Sequence, residues 1–186
     1  MGKDHLKRLA APRTWPIARQ ENKYVTKPVP GPHGLEKGIA LSVLLIEMLK
    51  YADTKREVKK ILNNKEVKVD CQVRHDFRFP VGIFDTIEFP RIDRQFRMVL
   101  NNLGRLSIVA IAKNEAPVKP CKIIGKSMVK GKLQLNLFDG KNILVDSNAY
   151  KVGDSVMLSL PDKKIVKHLK LGKKSTIYLT GGKHIG

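Results

Sequence analysis

The side chains that most often do chemistry are sparse here and stand at spacings that fit no reaction. The five histidines, His5, His33, His75, His168 and His184, form no HExxH pair and no Cys/His cluster with zinc spacing. Cys71 and Cys121 lie 50 residues apart without a CxxC motif, and they read as structural or turn positions rather than nucleophiles. The closing GGKHIG lacks the spacing and the Ser or Thr of a phosphate-cradling P-loop, and there is no GxSxG elbow. Eight acids between Glu47 and Glu88 face nine cations in the same stretch, so surface charge is their default reading. With no acid/base or nucleophile set and no ligand set, the expectation is a protein that is not an enzyme and needs no cofactor, metal or small-molecule substrate.

The abundant chemistry is cationic. Of 186 residues, 36 are Lys or Arg and 17 are Asp or Glu, a formal net charge of +19. Residues 1–40 carry a net +5, residues 41–90 a net +1, and residues 91–186 a net +13. Two basic regions therefore flank a nearly balanced one, which favours a large anionic surface over one small pocket. The excess of Lys over Arg favours phosphate neutralisation over bidentate base reading. A membrane surface would call for a basic amphipathic helix, and a bilayer span for about 20 apolar residues; neither pattern occurs. The opening MGKDHLKRLAAPR is charged from its third residue and has no apolar core, so it does not read as a secretory signal. The sparse cysteines fit a reducing, cytoplasmic setting. Nucleic acid is the expected partner.

Four segments must position these cations. Residues 1–40 read as an extended basic arm, because Pro12, Pro16, Pro28, Pro30 and Pro32 forbid a long helix. Lys3, Lys7, Arg8, Arg13 and Arg19 are scattered along it, and Trp15 is placed either to stack on a base or to pin the arm to the body. Residues 41–92 read as a small α+β module. Leu41, Leu44, Leu45, Met48, Leu49 and Ala52 make a helical stripe over 41–52. Thr54 and Glu57 form a capping box that opens a second helix, with Val58, Ile61 and Leu62 inward and Lys55, Arg56, Lys59 and Lys60 opposite. Short strands follow around Val67, Val69, Val73 and Gly82–Phe89, with Pro80 breaking the connection.

Residues 93–174 alternate with a period of two and read as a basic β domain, barrel-like or sandwich-like. Asn101–Gly104 marks one turn, and Asp139-Gly140 a hairpin turn of the primed kind. Its lysines, from Lys119, Lys122, Lys126, Lys130 and Lys132 to Lys173 and Lys174, are expected to neutralise phosphates. In residues 175–186, Ile177 and Leu179 read as a last strand before Gly181-Gly182.

The run from Ala52 to Ile87, ADTKREVKKILNNKEVKVD to PVGIFDTI, resembles the αL RNA-binding module shared by many translation proteins. More narrowly, KDHLKRLAAPRTWPI, the GPHG at Gly31–Gly34, REVKKIL, PVGIFDTIEF and TGGKHIG resemble, in order, the archaeal and eukaryotic small-subunit ribosomal protein of the eukaryotic-type fourth family. The resemblance implies a basic arm, an αL module, a central β domain and the start, over 175–186, of an incomplete KOW-type barrel. It implies that Lys7, Arg8, Arg13, Trp15, Lys55, Arg56, Lys59 and Lys60 face RNA. The family usually has Gly in the hairpin turn where this chain has Cys71, and a side chain at positive φ costs stability.

The expected fold is thus α+β, with a mostly β second half. The expected function is a structural, rRNA-binding constituent of the small ribosomal subunit, beside neighbouring ribosomal proteins. The expected contact set is Lys3, Lys7, Arg8, Arg13, Trp15, Arg19, Lys55, Arg56, Lys59, Lys60, Arg74, Lys126, Lys130 and Lys183. An assembly factor, or an RNA-modifying enzyme targeted by the αL module, is the alternative.

Overall fold

The computed structural model describes residues 5–146 and 148–185. Strand β1 (Leu6–Lys7) pairs antiparallel with β2 (Tyr24–Val25), with a 3-10 turn at Arg8–Ala10 between them. The prolines do keep the arm free of long helix, yet it folds back on the body instead of extending away. Trp15 is only 2% exposed, and its indole N–H is shared by the carbonyls of Leu35 and Gly38, at 3.1 and 3.0 Å. The Leu106 N–H donates to the Thr14 carbonyl at 2.7 Å, tying the arm to the first large sheet.

Strand β3 (Gly38–Ala40) leads into helix α1, which is α-helical over Leu41–Val43 and π-type over Leu44–Met48. Leu41, Leu44 and Leu45 are fully buried as their spacing requires. The helix stops short of the expected 41–52, because Lys50 turns left-handed at φ 54° and the Tyr51 N–H closes onto the Leu45 carbonyl at 3.0 Å. Ala52 is buried beyond the helix end. Helix α2 (Lys55–Asn63) carries the expected capping box: the Glu57 N–H donates to Thr54 Oγ1 at 3.3 Å, and Glu57 Oε2 accepts from the Thr54 N–H at 3.4 Å. Val58 and Leu62 are wholly buried, which turns the four cations outward.

Strands β4 (Lys68–Val69) and β5 (Gln72–Val73) form a hairpin whose turn residues, Asp70 and Cys71, have φ of 53° and 60°. Both central residues are left-handed, as a primed turn demands, so Cys71 adopts the conformation that glycine takes at least cost. Pro80 does not break a connection. It opens strand β6 (Pro80–Gly82), opposite Ala40 of β3, where a first-position proline forfeits no ladder bond. Strands β7 (Thr86–Phe89), β8 (Arg94–Leu100) and β9 (Leu106–Ile111) complete a sheet in the order β5-β4-β7-β8-β9. β8 pairs with β7 from Thr86 opposite Arg97 to Phe89 opposite Arg94, so hydrogen bonding continues across positions 92 and 93.

The second large sheet contains β10 (Val118–Val129), β11 (Lys132–Leu137), β12 (Asn142–Val145), β13 (Ser155–Ser159) and β14 (Ile165–Leu169), in the order β12-β11-β10-β13-β14. β10 shifts register between Ile123 and Gly125, pairing with β13 before the shift and mainly with β11 beyond it. Such a bulge bends a strand, and the sheet curls into a half-barrel around Ile123, Leu135, Leu137, Val156 and Leu158. Its edge strands β12 and β14 do not pair with each other. The primed turn falls at Lys130-Gly131, with φ of 49° and 76°; at Asp139-Gly140 only Gly140 is left-handed, in a three-residue loop. After Leu169 the described residues contain no strand, and Ile177 and Leu179 are exposed. Tyr178 lies instead on the first body, its hydroxyl donating to the Leu100 carbonyl at 2.8 Å and its ring 5.1 Å from Phe84. Among the described residues the fold is therefore mostly β, with two short helices confined to the first half of the expected α+β arrangement.

Candidate nucleic-acid interface

Helix α2 presents Lys55, Arg56, Lys59 and Lys60 to solvent, and none of them pairs with a carboxylate among the described residues. The helix's own acid is withdrawn. The Glu57 carboxylate is held below its ordinary range by the N–H of Asp53, at 2.8 Å, and by Thr54. Lys59 lies 5.1 Å from the Phe77 ring centre, and the Arg74 guanidinium 4.2 Å from that of Phe79. The β5–β6 loop thus joins the helix, and Arg74, also bonded to Gln72 at 2.9 Å, is oriented beside it. This surface combines uncompensated cations with half-buried aromatic rings, the combination that suits a phosphodiester backbone and its bases.

The arm divides differently from expectation. Lys7 and Arg13 are exposed, while Lys3 lies outside the described residues. Arg8 is buried, ion-paired to Glu47 and hydrogen-bonded to the Ala18 carbonyl, so it holds the arm down instead of facing a ligand. Arg19 donates to the carbonyls of Ala11 and Pro12, each at 2.8 Å. Trp15 fills the second of its two sequence roles, as a pin. Its burial leaves no ring face for a base. The first body also carries Lys183, which is exposed. On the second sheet Lys130 is exposed, and Lys126 donates to Asn148 at 2.9 Å. The structure thus brings together Lys55, Arg56, Lys59, Lys60 and Arg74, and leaves Lys126 and Lys130 on the other sheet.

Lys119 departs furthest from the expected phosphate-neutralising role. It is 1% exposed, and its ammonium meets Asp70 at 2.8 Å, Asp139 at 3.3 Å and Asp85 in one cluster between the two sheets. Lys141 joins from the β11–β12 loop, 2.8 Å from Asp70 and 2.9 Å from Asp139. The GPHG run delivers His33, whose Nε2 stands 3.0 Å from Asp85. Gly82 is needed beneath it, since a Cβ there would overlap the His33 ring. Burial disfavours every charge in the cluster, but mutual attraction outweighs it: the Lys119 ammonium is held well above, and the Asp85 and Asp139 carboxyls below, their ordinary ranges. The signal was present in the sequence. Lys119 shares a strand face with Cys121 and Ile123, so a period of two already turned it inward.

The cysteines are not nucleophiles. Burial, reinforced by Glu88 at Cys71 and by Asp139 at Cys121, pushes each thiol up to about 12. Among the described residues, no group of His, Cys, Asp and Glu could hold a metal ion, and no helix is long and apolar enough to cross a membrane.

Comparison with known proteins bears on the same surface. Residues 92–165 match the model of ribosomal family S4e, and residues 1–36 match the RS4NT (NUC023) domain. The small ribosomal subunit protein eS4 of Methanocella arvoryzae is 46% identical over 184 residues, covering 98% of this chain and 77% of that protein. That of Archaeoglobus fulgidus is 44% identical over 183 residues, covering 98% and 76%. The crystal structure of the 30S ribosomal protein S4e from Thermoplasma acidophilum superposes with a TM-score of 0.70 at 33% identity, covering 80% of this chain and 77% of that one. The basic arm, the capped helix and the curled β sheet are thus those of a chain that belongs to the eS4 family of small ribosomal subunit proteins.

Proposed function

We propose that this protein is a structural constituent of the small ribosomal subunit, taking part in translation by holding ribosomal RNA in register, and that it catalyses nothing. The observation that carries the reading is the α2 face: four exposed cations with no acidic partner among the described residues, on a helix whose only acid caps its own N-terminus. Phosphates that replace counterions there gain affinity from ion release, and each contact is weak and salt-sensitive. Residues 41–92 serve as the αL-type module, a role supported by the capped helix and the hairpin after it. The strandless stretch 175–185 lends the KOW-type reading no support. The contact set then comprises Lys55, Arg56, Lys59, Lys60 and Arg74, with Lys7, Arg13, Lys126, Lys130 and Lys183 as outlying anchors, and neighbouring ribosomal proteins cover other faces. The cytoplasmic ribosome is the corresponding location.

The test reverses the four α2 cations together to Glu. Binding to small-subunit rRNA should weaken, and the slope of log affinity against log salt should fall by about 3, with circular dichroism unchanged. The wild-type chain should also sediment with mature small subunits at about one copy each after a high-salt wash. An unchanged slope with the fold intact would reduce that face to solvated charge, and release from the particle would favour an assembly factor.

A further inference from the structure

Two open clefts border the arm. One, of about 520 Å³, is lined by Arg8, Lys23 and Lys55, but also by Glu21, Glu47 and Asp53, and its mixed charge favours no anion. The other, of about 420 Å³, opens between the arm and the β8–β9 turn. It is lined by Arg13, Trp15, Ile17, Arg19, Leu103 and Arg105, without an acid. Arg13 and Arg105 are exposed and have no acidic partner among the described residues. The Arg19 guanidinium is fixed by neutral carbonyls, so it is immobilised with its charge uncompensated.

The opposite wall, the β8–β9 turn, carries the apolar Leu103 beside the charged Arg105. Leu103 is 78% exposed at the lip. Asn101 Oδ1 accepts from the N–H groups of Leu103 and Arg105, at 3.0 and 2.9 Å, and fixes the turn that presents them. Ile185 lies against Gly104 on the same turn, at 3.2 Å from where a Cβ would stand. The exposed Lys183 and His184 therefore approach the same edge.

The geometry points to a subsite for one unstacked nucleotide of single-stranded RNA. The phosphate lies between Arg13 and Arg105, in the fixed field of Arg19. The base lies against Leu103 and Ile17, with the edge of the buried Trp15 closing the floor. A free phosphate would leave the apolar side chains unused, and a cleft of this volume holds far more than one oxyanion. A duplex keeps its base faces stacked and cannot lay one against such side chains, whereas an unstacked loop nucleotide can. The inference rests on the RNA-binding reading and adds the state of the RNA that the arm side receives.

The test uses the full chain, a fluorescein-labelled single-stranded uridine hexamer, and a blunt RNA duplex as control. In Arg13→Glu/Arg105→Glu, hexamer affinity should fall at least about tenfold, and its salt slope should flatten by about 1.4, two contacts at 0.7 each. Duplex affinity should fall less than hexamer affinity. Leu103→Ser should weaken hexamer binding several-fold at an unchanged salt slope and leave an abasic hexamer unaffected. Thermal melts of each exposed-site variant check that the fold is retained. Equal loss for hexamer and duplex, or no loss, would overturn the subsite; a loss in the arginine variant without any effect of Leu103→Ser would overturn the base contact and leave a phosphate site only. A wild-type chain that fails to bind folded small-subunit rRNA would reject the broader reading. A chain that binds it while Arg13→Glu/Arg105→Glu keeps full hexamer affinity would reject the cleft alone.

Discussion

The ammonium of Lys119, on the first strand of the second sheet, stands 2.8 Å from the carboxylate of Asp70 in the β4–β5 turn. Two β bodies with separate apolar cores are thereby joined through a buried ionic seam rather than through shared hydrophobic contact alone. The same turn supplies Asp70 to Lys141, so one hairpin of the first sheet grips two lysines of the second. Cationic charge is thus used on internal architecture. It fixes the relative placement of α2 on one body and the Lys126–Lys130 hairpin on the other.

Removing the centre of that seam should be costly. Lys119→Met leaves Asp85 buried beside His33 without its ammonium, and breaking a buried pair from one side costs about 3–5 kcal/mol. Urea unfolding should show a loss of that size. The double variant Lys119→Met/Asp85→Asn should recover part of it, because the buried Asp85 charge goes with its partner while Lys141 still meets Asp70 and Asp139. Equal stability of the single and double variants would mean that the seam is not energetically coupled.

The seam also sets the acid limit. Burial would raise the carboxyls of Asp85 and Asp139, but Lys119 together with His33 and the Gly82 N–H at Asp85, and together with Lys141 at Asp139, holds them below their ordinary range in the fold. Asp154 is held at about 2, chiefly by the Leu171 N–H at 3.0 Å, with His168 adding to it. Depressed carboxyls stabilise fully above their unfolded value, about 3.9, and the contribution disappears as pH falls through the folded values. Lys119 works in the opposite sense: its contribution is intact below about pH 10.4, the value for an unfolded lysine, and declines only above it. The urea midpoint should therefore be flat from neutrality to about pH 5 and fall steeply below about pH 4. Asp154→Asn should lower the plateau and flatten the acid limb; a parallel acid limb would exclude Asp154 from it.

Cys71 is one of nine non-glycine residues that take positive φ among the described residues. At φ 60° a side chain costs about 1–2 kcal/mol, which glycine avoids. Cys71→Gly forfeits the Sγ contact to Glu88 at 3.2 Å and raises unfolded-state freedom, so the net gain should be about 1 kcal/mol or less. The melting temperature should rise by about 2–4 °C at most. The native thiol, pushed up to about 12, should alkylate slowly at pH 8 and quickly in denaturant. A fall in melting temperature would mean that the Glu88 contact outweighs the backbone strain.

What was legible in the sequence was local. The capping box of Thr54 and Glu57 and the inward Val58 and Leu62 depend on neighbours within one or two turns, so α2 and its cationic face could be read directly. The end of α1 could not, because a left-handed lysine at position 50 stops the helix without the usual glycine. The primed turn was misassigned for a similar reason: Lys130-Gly131 carries no Asn or Asp before its glycine, whereas Asp139-Gly140 does but sits in a longer loop. The ionic seam escaped because Asp70, Asp85 and Asp139 reach Lys119 only through tertiary packing: the period of two turns Lys119 inward but names no partner for it. The family resemblance carried the order of the segments but not which arm residues turn inward.

Trp15 gives the sharpest separation of anchor from contact. Its indole N–H serves two carbonyls, those of Leu35 and Gly38. Trp15→Phe keeps an aromatic ring but leaves those acceptors without their donor, a loss of about 1–3 kcal/mol. Being uncharged and without an open ring face, Trp15 should contribute nothing to the salt slope of RNA binding, so the folded variant should keep the wild-type slope. As the chain's single tryptophan, it also reports on itself: its emission should be blue-shifted and shielded from iodide in the free protein. Ready quenching by iodide, together with an unaltered melting temperature in Trp15→Phe, would place the indole at the surface and return it to the role of a base-stacking platform. Shielded emission with a lowered melting temperature would fix it as the pin that folds a proline-rich basic arm onto the protein before any RNA is bound.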